Sequence, residues 1–150
     1  MPVQPDNLLA EQAGIVRSVR LRCGSIETQT HGGQLTVNVM LRFNDKEYIG
    51  SAIGDNTTTG LYECVANATL DTARIFLSLS ESPFRLMGIR HITNTPVPIC
   101  MVLVEFVGDG STAVLVGSVE LMGREDACVQ RATMDAINRK ISMLYQGIAN

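Results

Sequence analysis

An internal repeat is the feature that most constrains how this chain can fold. The eight residues that begin at Cys64 read CVANATLD, and the eight that begin at Cys128 read CVQRATMD. Five of these eight positions are identical, and a sixth exchanges leucine for methionine, two side chains of similar volume. Upstream, Gly50-Ser51 matches Gly117-Ser118. A fold built twice from one structural unit explains both matches.

The first unit is predicted to contain three strands and a helix. Hydrophobic and polar residues alternate over residues 15–23 and again over residues 35–43, which is typical of half-buried strands. The polar, glycine-containing stretch between them is predicted to be a loop. A third strand is expected at residues 47–53, and from Leu61 the apolar spacing becomes that of a helix.

The second unit repeats this order with strands at residues 86–93, 99–107 and 112–121, followed by a helix at 127–145. We therefore expect an α+β fold with two tandem β-β-β-α repeats, helices packed on sheet, and pseudo-two-fold symmetry. The repeats are assigned to residues 15–80 and 86–146 of a single domain, residues 15–150. Residues 1–14 are expected to form a mobile N-terminal arm.

Composition argues against several classes of protein. Of the 150 residues, 45% are hydrophobic and 18% are charged, which is incompatible with a fully disordered chain. A net charge of −3 without a basic cluster argues against nucleic-acid binding. The longest apolar run, residues 99–104, is far shorter than the roughly 20 residues of a membrane-spanning helix, so no membrane partner is expected.

The cysteines and the N-terminus predict a cytoplasmic protein. No signal peptide is visible before Gly14. The four cysteines are widely spaced and form no Cys-x-x-Cys pair, so we expect buried free thiols, no metal and no other cofactor. They are Cys23, Cys64, Cys100 and Cys128.

Two tandem β-β-β-α units resemble the C-terminal regulatory (dimerisation) domain of 2-isopropylmalate synthase and citramalate synthase. The stretch ATMDAINR at residues 132–139 is similar to the segment ending in Ala-x-Asn-Arg that closes the family's last helix. GSAIG at residues 50–54 is similar to the family's strand-Gly-x-Ala-x-Gly pattern. The resemblance covers roughly residues 15–146 and implies this fold, dimer formation and small-ligand sensing. The synthases carry out catalysis in a barrel with no counterpart in these 150 residues, so the resemblance implies a non-enzymatic protein.

The two predicted helix starts are candidate sites for a small anionic ligand such as an amino acid. Backbone N–H groups at a helix N-terminus attract anions, and glycine lets a ligand approach closely. The alternative is ordinary helix capping, for which asparagine and threonine are favoured. The candidate residues are Gly54, Asp55, Asn56 and Thr57 before the first helix and Gly123 and Arg124 before the second.

The remaining polar residues predict no catalytic site. Asp71 and Asp135 occupy equivalent positions on the polar faces of their helices, where solvated positions, paired with an arginine three or four residues later, are expected. His31 falls in the predicted loop and His91 in a predicted strand. Neither has a second metal ligand at a usual spacing.

The second strand of unit two is apolar on both faces. Its outward residues include Ile99, Met101 and Leu103, whereas the outward residues of the matching strand in unit one include Asn38 and Met40. Because the helices can cover only one face, a second sheet of the same chain or another subunit must cover the other. We expect a homodimer whose interface includes Ile99, Met101, Leu103 and Met40, with an intramolecular sandwich as the alternative.

Together these features favour a non-enzymatic homodimerising module that senses a small ligand. One alternative is a hotdog-like thioesterase, in which a sheet wraps around one long helix. Another is a structural adaptor that docks a different protein. The two predicted helices of comparable length favour the first interpretation over the thioesterase.

Overall fold

The computed structural model describes residues 19–108 and 110–149. Strands β1, β2 and β3 form one antiparallel sheet in that order, and β4, β5 and β6 form a second. Each sheet is followed by a helix, so the predicted α+β class and the two successive β-β-β-α units are confirmed. The elements are β1 (Arg22–His31), β2 (Gln34–Phe43), β3 (Lys46–Asp55), α1 (Thr58–Phe76), β4 (Phe84–Ile92), β5 (Ile99–Gly108), β6 (Ser111–Glu120) and α2 (Glu125–Ala149).

The central strands supply the sheet side of the core. β2 and β5 each bury every second residue, as the alternation of their sequences predicts. The buried residues include Leu35, Val37, Val39 and Leu41 on β2 and Cys100, Val102 and Val104 on β5. Both helices face this buried side and leave the opposite sides of the two sheets open.

The two helices are shared between the sheets. α1 packs against β2 and β3 and also contacts β4, whereas α2 packs against β5 and β6 and also contacts β1. The helices run in the same direction, because Tyr62 near the start of α1 donates a hydrogen bond to Glu125 at the start of α2. Near their ends, the rings of Phe76 and Tyr145 stack with centroids 5.1 Å apart. Each unit therefore completes the core of the other.

The first strand differs from its prediction. β1 occupies Arg22–His31, most of which was predicted to be a loop, and a turn containing Gly32 (φ 63°) connects it to β2. The predicted strand at residues 15–23 overlaps β1 only at its end, and residues 15–18, like the predicted arm, lie outside the described residues. β1 is an edge strand whose residues are mostly exposed. Burial therefore imposes no hydrophobic alternation on its sequence.

The strand pairings explain why matched residues of the two units are not separated by one constant number of residues. A bulge lies between Cys23 and Ile26 in β1, and a corresponding bulge lies between Leu86 and Gly88 in β4. The β5–β6 hairpin extends by two residue pairs beyond Phe106, the equivalent of the last paired residue of β2. Because of this extension, matched residues of β3 and β6 lie further apart in the sequence than matched residues of β2 and β5. The shared core is not disturbed.

Candidate functional site

The repeated sequence motif forms one contact between each helix and its edge strand. In unit one, the backbone N–H of Ser51 donates to Asp71 Oδ2 at 2.9 Å. The preceding residue, Gly50, lies against α1 so closely that an added Cβ would be 2.4 Å from the backbone nitrogen of Thr72. Glycine is therefore required for the close approach, and the aspartate satisfies an N–H on the open edge of β3.

Unit two has the same arrangement. The N–H of Ser118 donates to Asp135 Oδ2 at 3.0 Å. A Cβ on Gly117 would lie 2.0 Å from the carbonyl oxygen of Ala132. The repeated Gly-Ser and Asp residues thus serve the packing of helix on strand, a link that sequence spacing alone does not reveal.

Asp135 is exposed and Asp71 is partly exposed, as expected, but each carboxylate also has a structural partner. Each carboxylate is bound to a strand N–H, and Asp71 also pairs with Arg74, three residues later, at 3.0 Å. The predicted arginine pairing is confirmed for Asp71.

The start of α1 is capped by its own residues. Thr57 is the N-cap, and its hydroxyl accepts a hydrogen bond from the N–H of Gly60 at 2.9 Å. The N–H of Asn56 donates to Gly33 O at 3.0 Å. Gly54 lies against the thiol of Cys64, where a Cβ would be 2.6 Å from Sγ. Capping and close packing account for these residues without a ligand.

The surroundings of this helix start are acidic. A cleft of about 360 Å³ lies beside it, and its lining includes Asp55 and Glu63 but no basic residue. The positive end of the helix dipole attracts anions, but two nearby carboxylates oppose that attraction. This geometry does not favour the predicted anionic ligand here.

The start of α2 is also acidic. Gly123 adopts φ 73°, a left-handed conformation that favours glycine. Arg124 binds Asp126 through two hydrogen bonds, at 3.1 and 2.6 Å, and these raise the pKa of its guanidinium. Asp126 also accepts from the N–H of Ala127. The charge of Arg124, predicted to bind an anion, is therefore neutralised locally.

A larger cleft of about 500 Å³ separates the first turns of α1 from β4. Tyr62, Glu63 and Thr59 line one wall, and residues 86–91 line the other. The hydrogen bond to Glu125 raises the pKa of Tyr62 to about 12. The buried Nε2 of His91 has no hydrogen-bond partner within the described residues. This cleft combines apolar walls with polar groups, as small-molecule sites do.

The thiols near this cleft are not activated nucleophiles. His91 pairs with Cys100 across β4 and β5, a neighbourhood that sequence spacing did not reveal. Desolvation raises the pKa of Cys100 to about 11, which makes its thiolate scarce at neutral pH. All four cysteines are free, and Cys64, Cys100 and Cys128 are buried. Cys23 is exposed, contrary to the expectation of four buried thiols, because it lies on edge strand β1.

The outward face of the second sheet is apolar and partly exposed. Ile99, Met101 and Leu103 on β5 point away from the helices and remain half-buried. Their neighbours on β6 include Val114 and Val116, which are 55% and 54% exposed. We call these five side chains the apolar face.

Met40 does not belong to this surface. It lies on β2 of the first sheet, where its side chain packs beside Gly24. Two exposed isoleucines, Ile49 and Ile53, lie on β3 nearby, but polar Ser51 separates them. Met40 therefore lies on a different sheet from Ile99, Met101 and Leu103, and its place in a dimer interface stays a prediction.

Within the described residues, no group of three or more His, Cys, Asp or Glu side chains could hold a metal ion. No helix there is both long enough and apolar enough to cross a membrane. In comparisons with known proteins, no family model and no curated protein matched the chain.

Proposed function

We propose that this protein is a non-enzymatic module that forms a homodimer through the apolar face of its second sheet. The observation that carries the proposal is the exposure of contiguous apolar side chains on β5 and β6, opposite the helix-covered face. Covering a large apolar side chain contributes roughly 1.5–3 kcal/mol relative to leaving it exposed. When two copies of the chain associate, the apolar side chains of both partners are covered and both contribute.

The charges around the apolar face suit a second copy. Arg90 pairs with Met101 in the β4–β5 register, and Glu120 pairs with Ile99 in the β5–β6 register. One margin of the face is therefore basic and the other is acidic. A two-fold axis parallel to the strands would place β4 of one copy over β6 of the other, so the basic margin of each copy would face the acidic margin of its partner.

A small ligand such as an amino acid would fit the cleft between α1 and β4 better than the helix starts themselves. Arg90 and Glu63 both line this cleft, so they could bind a carboxylate and an ammonium group. His91 also lines the cleft. A thermal-shift screen with amino acids, nucleotides and acyl-CoA tests this part, since a ligand of the folded state raises the unfolding temperature. An unchanged unfolding temperature with every amino acid would contradict it.

The proposed relation to the regulatory domain of 2-isopropylmalate synthase rests on fold pattern and short motifs. A hotdog-like thioesterase is less well supported, because the chain has two helices of 19 and 25 residues rather than one central helix. A structural adaptor remains the competing proposal. It differs in its consequence, since the apolar face would then stay exposed until a different protein bound it.

Pseudo-two-fold symmetry of the two units is part of the proposal. The corresponding bulges, the two Gly-Ser-Asp contacts and the parallel helices support it. Superposing residues 36–79 on residues 99–143 should bring Cys64 onto Cys128 and Asp71 onto Asp135. If the two residues of either pair fell in different secondary-structure elements, the symmetry would be contradicted.

Sedimentation over a dilution series tests the dimer. The test variants are Met101→Asp and Leu103→Asp, and the matched control is Asn38→Asp, which places the same charge at the position of β2 equivalent to Met101. We expect the two test variants to weaken the dimer at least a hundredfold, about 2.8 kcal/mol, because each buries an unpaired charge. The control should leave the dimer unchanged.

Circular dichroism distinguishes dissociation from unfolding in each variant. A wild-type chain that stays monomeric at high concentration would contradict the proposal. So would a control variant that dissociates as readily as Met101→Asp.

A further inference from the structure

A cleft of about 730 Å³ lies at the end of the first sheet, away from the apolar face. It is bounded by the start of β1, the β2–β3 turn and α2. Its lining includes three arginines and one carboxylate, and it therefore has a formal charge of +2 on a chain whose net charge is −3. The charged residues are Arg20, Arg22, Arg42 and Asp45.

Two of these arginines face each other across neighbouring strands. Arg22 and Arg42 are direct partners in the β1–β2 register, an arrangement that like charges make unfavourable. Arg42 has a partner in Glu47 at 2.7 Å. Within the described residues, no carboxylate pairs with Arg20 or Arg22. Apart from Asp45 in the lining, the described residues therefore provide no counter-charge for these two guanidinium groups.

The second unit neutralises the corresponding pair. Arg85 and Glu105 are partners in the β4–β5 register, at the positions equivalent to Arg22 and Arg42, and they form an ion pair at 2.6 Å. The same place in the repeat therefore carries Arg–Glu in one unit and Arg–Arg in the other. Among these four described residues, only Arg22 has no ion-pair partner within the part of the chain that the structure describes.

A polar group on the helix side of the cleft also lacks a partner. Asn138 lines the cleft, and its Oδ1 is buried without a hydrogen-bond partner within the described residues. Rotation of the carboxamide by 180° places Nδ2 at that position, where it can donate to an anionic oxygen.

We propose that this cleft binds a small molecule that carries a phosphate group. Guanidinium groups match phosphate oxygens in charge and geometry, and two unpaired arginines suit a dianion better than a single carboxylate. A nucleic acid fits less well, because the nearby ring of Phe43 already packs edge-on against Phe76 and Tyr145 and offers no free stacking surface. The site does not depend on the apolar face.

Thermal unfolding in inorganic phosphate, against sodium chloride at matched ionic strength, tests the proposal. We expect phosphate to raise the unfolding temperature of the wild-type protein beyond the effect of chloride. Arg22→Gln should weaken phosphate binding at least tenfold. The control Arg85→Gln removes an arginine from the equivalent position of unit two and should leave phosphate binding unchanged.

A second variant gives unit one the Arg–Glu pair that unit two has. Arg42→Glu combined with Glu47→Gln gives Arg22 a carboxylate partner, so phosphate binding should be lost while circular dichroism stays that of the wild type. Equal unfolding temperatures in phosphate and chloride for the wild type would overturn the proposal. So would phosphate binding that survives in both unit-one variants, or tighter binding of single-stranded RNA than of glycerol 3-phosphate.

Discussion

The two units share an inner framework and differ on their outer surfaces. Toward the helices, each has a glycine without room for a side chain, an aspartate bound to the strand edge and a buried cysteine. Away from the helices, the central strand of unit one presents polar residues such as Asn38, whereas that of unit two presents apolar residues such as Met101. Packing constrains the inner half of each unit, and the outer half is free to acquire separate binding surfaces.

The largest expected loss of stability comes from replacing the two glycines that pack against the helices. Gly117→Ala forces a Cβ to within 2.0 Å of a helix carbonyl, and Gly50→Ala forces one to within 2.4 Å of a helix nitrogen. Because backbone must move in both cases, each should lower the free energy of unfolding by about 3 kcal/mol or more. Urea unfolding measures the loss.

Gly33→Ala is the control for this prediction, since nothing lies within 4 Å of the added Cβ. It should change stability by less than about 1 kcal/mol. If only one packing glycine proved sensitive, the inner frameworks of the two units would not be equivalent.

The two aspartates should have smaller and unequal effects. Asp71→Ala and Asp135→Ala each remove the acceptor of an exposed strand N–H, which costs about 0.5–1.5 kcal/mol because water can take its place. Asp71 also pairs with Arg74, so its replacement should cost more than that of Asp135. Thermal unfolding of the two variants side by side checks this order, and a larger loss for Asp135→Ala would contradict it.

A smaller difference in stability between the units is expected for variants at the two helix starts. Thr57→Ala removes the side-chain cap of α1 and should cost about 1 kcal/mol in unfolding free energy. Thr57→Ser keeps the hydroxyl and is the matched control. Arg124→Ala at the start of α2 should leave stability almost unchanged, because the Arg124 side chain is 69% exposed and Asp126 keeps its hydrogen bond from the N–H of Ala127. A greater loss for Arg124→Ala than for Thr57→Ala would reverse the contrast.

The smallest effect concerns the hydrogen bond that joins the two helix starts. The pKa of Tyr62 is raised to about 12, mainly because its hydroxyl donates to Glu125. The folded state therefore favours the neutral phenol, and the stabilisation present below pH 10 is lost as pH rises from 10 to 12. Ultraviolet titration should show one tyrosine with a pKa of about 12. That titration should disappear in Tyr62→Phe and shift downward in Glu125→Gln, and an unchanged profile in either variant would contradict the assignment.

Most of the fold could be predicted from the sequence, because burial fixes the period of the central strands and helices. β2 and β5 alternate visibly, since one face of each is packed against the helices. β1 was missed because it is an exposed edge strand with a polar sequence. The repeat could have located it, since the spacing between β2 and β5 transfers the predicted strand at residues 86–93 onto residues 23–30.

The sites were harder to predict than the fold. The pairing of Arg22 with Arg42 depends on a bulge in β1 that the sequence does not reveal. The pairing of His91 with Cys100 depends on the register set by the β4–β5 connection. The role of Asp71 was missed for a similar reason. Its acceptor function becomes visible only when the helix is seen to lie along the open edge of β3.

Oxidation of methionine by dilute hydrogen peroxide tests most directly whether the second sheet hides its outer face in a dimer. Met101 lies on the apolar face, whereas Met122 and Met143, which are 63% and 49% exposed, serve as internal references. Mass spectrometry follows each site at increasing protein concentration. We predict that the oxidation of Met101 slows as the dimer forms, while the reference rates stay constant. A Met101 rate independent of concentration would contradict it.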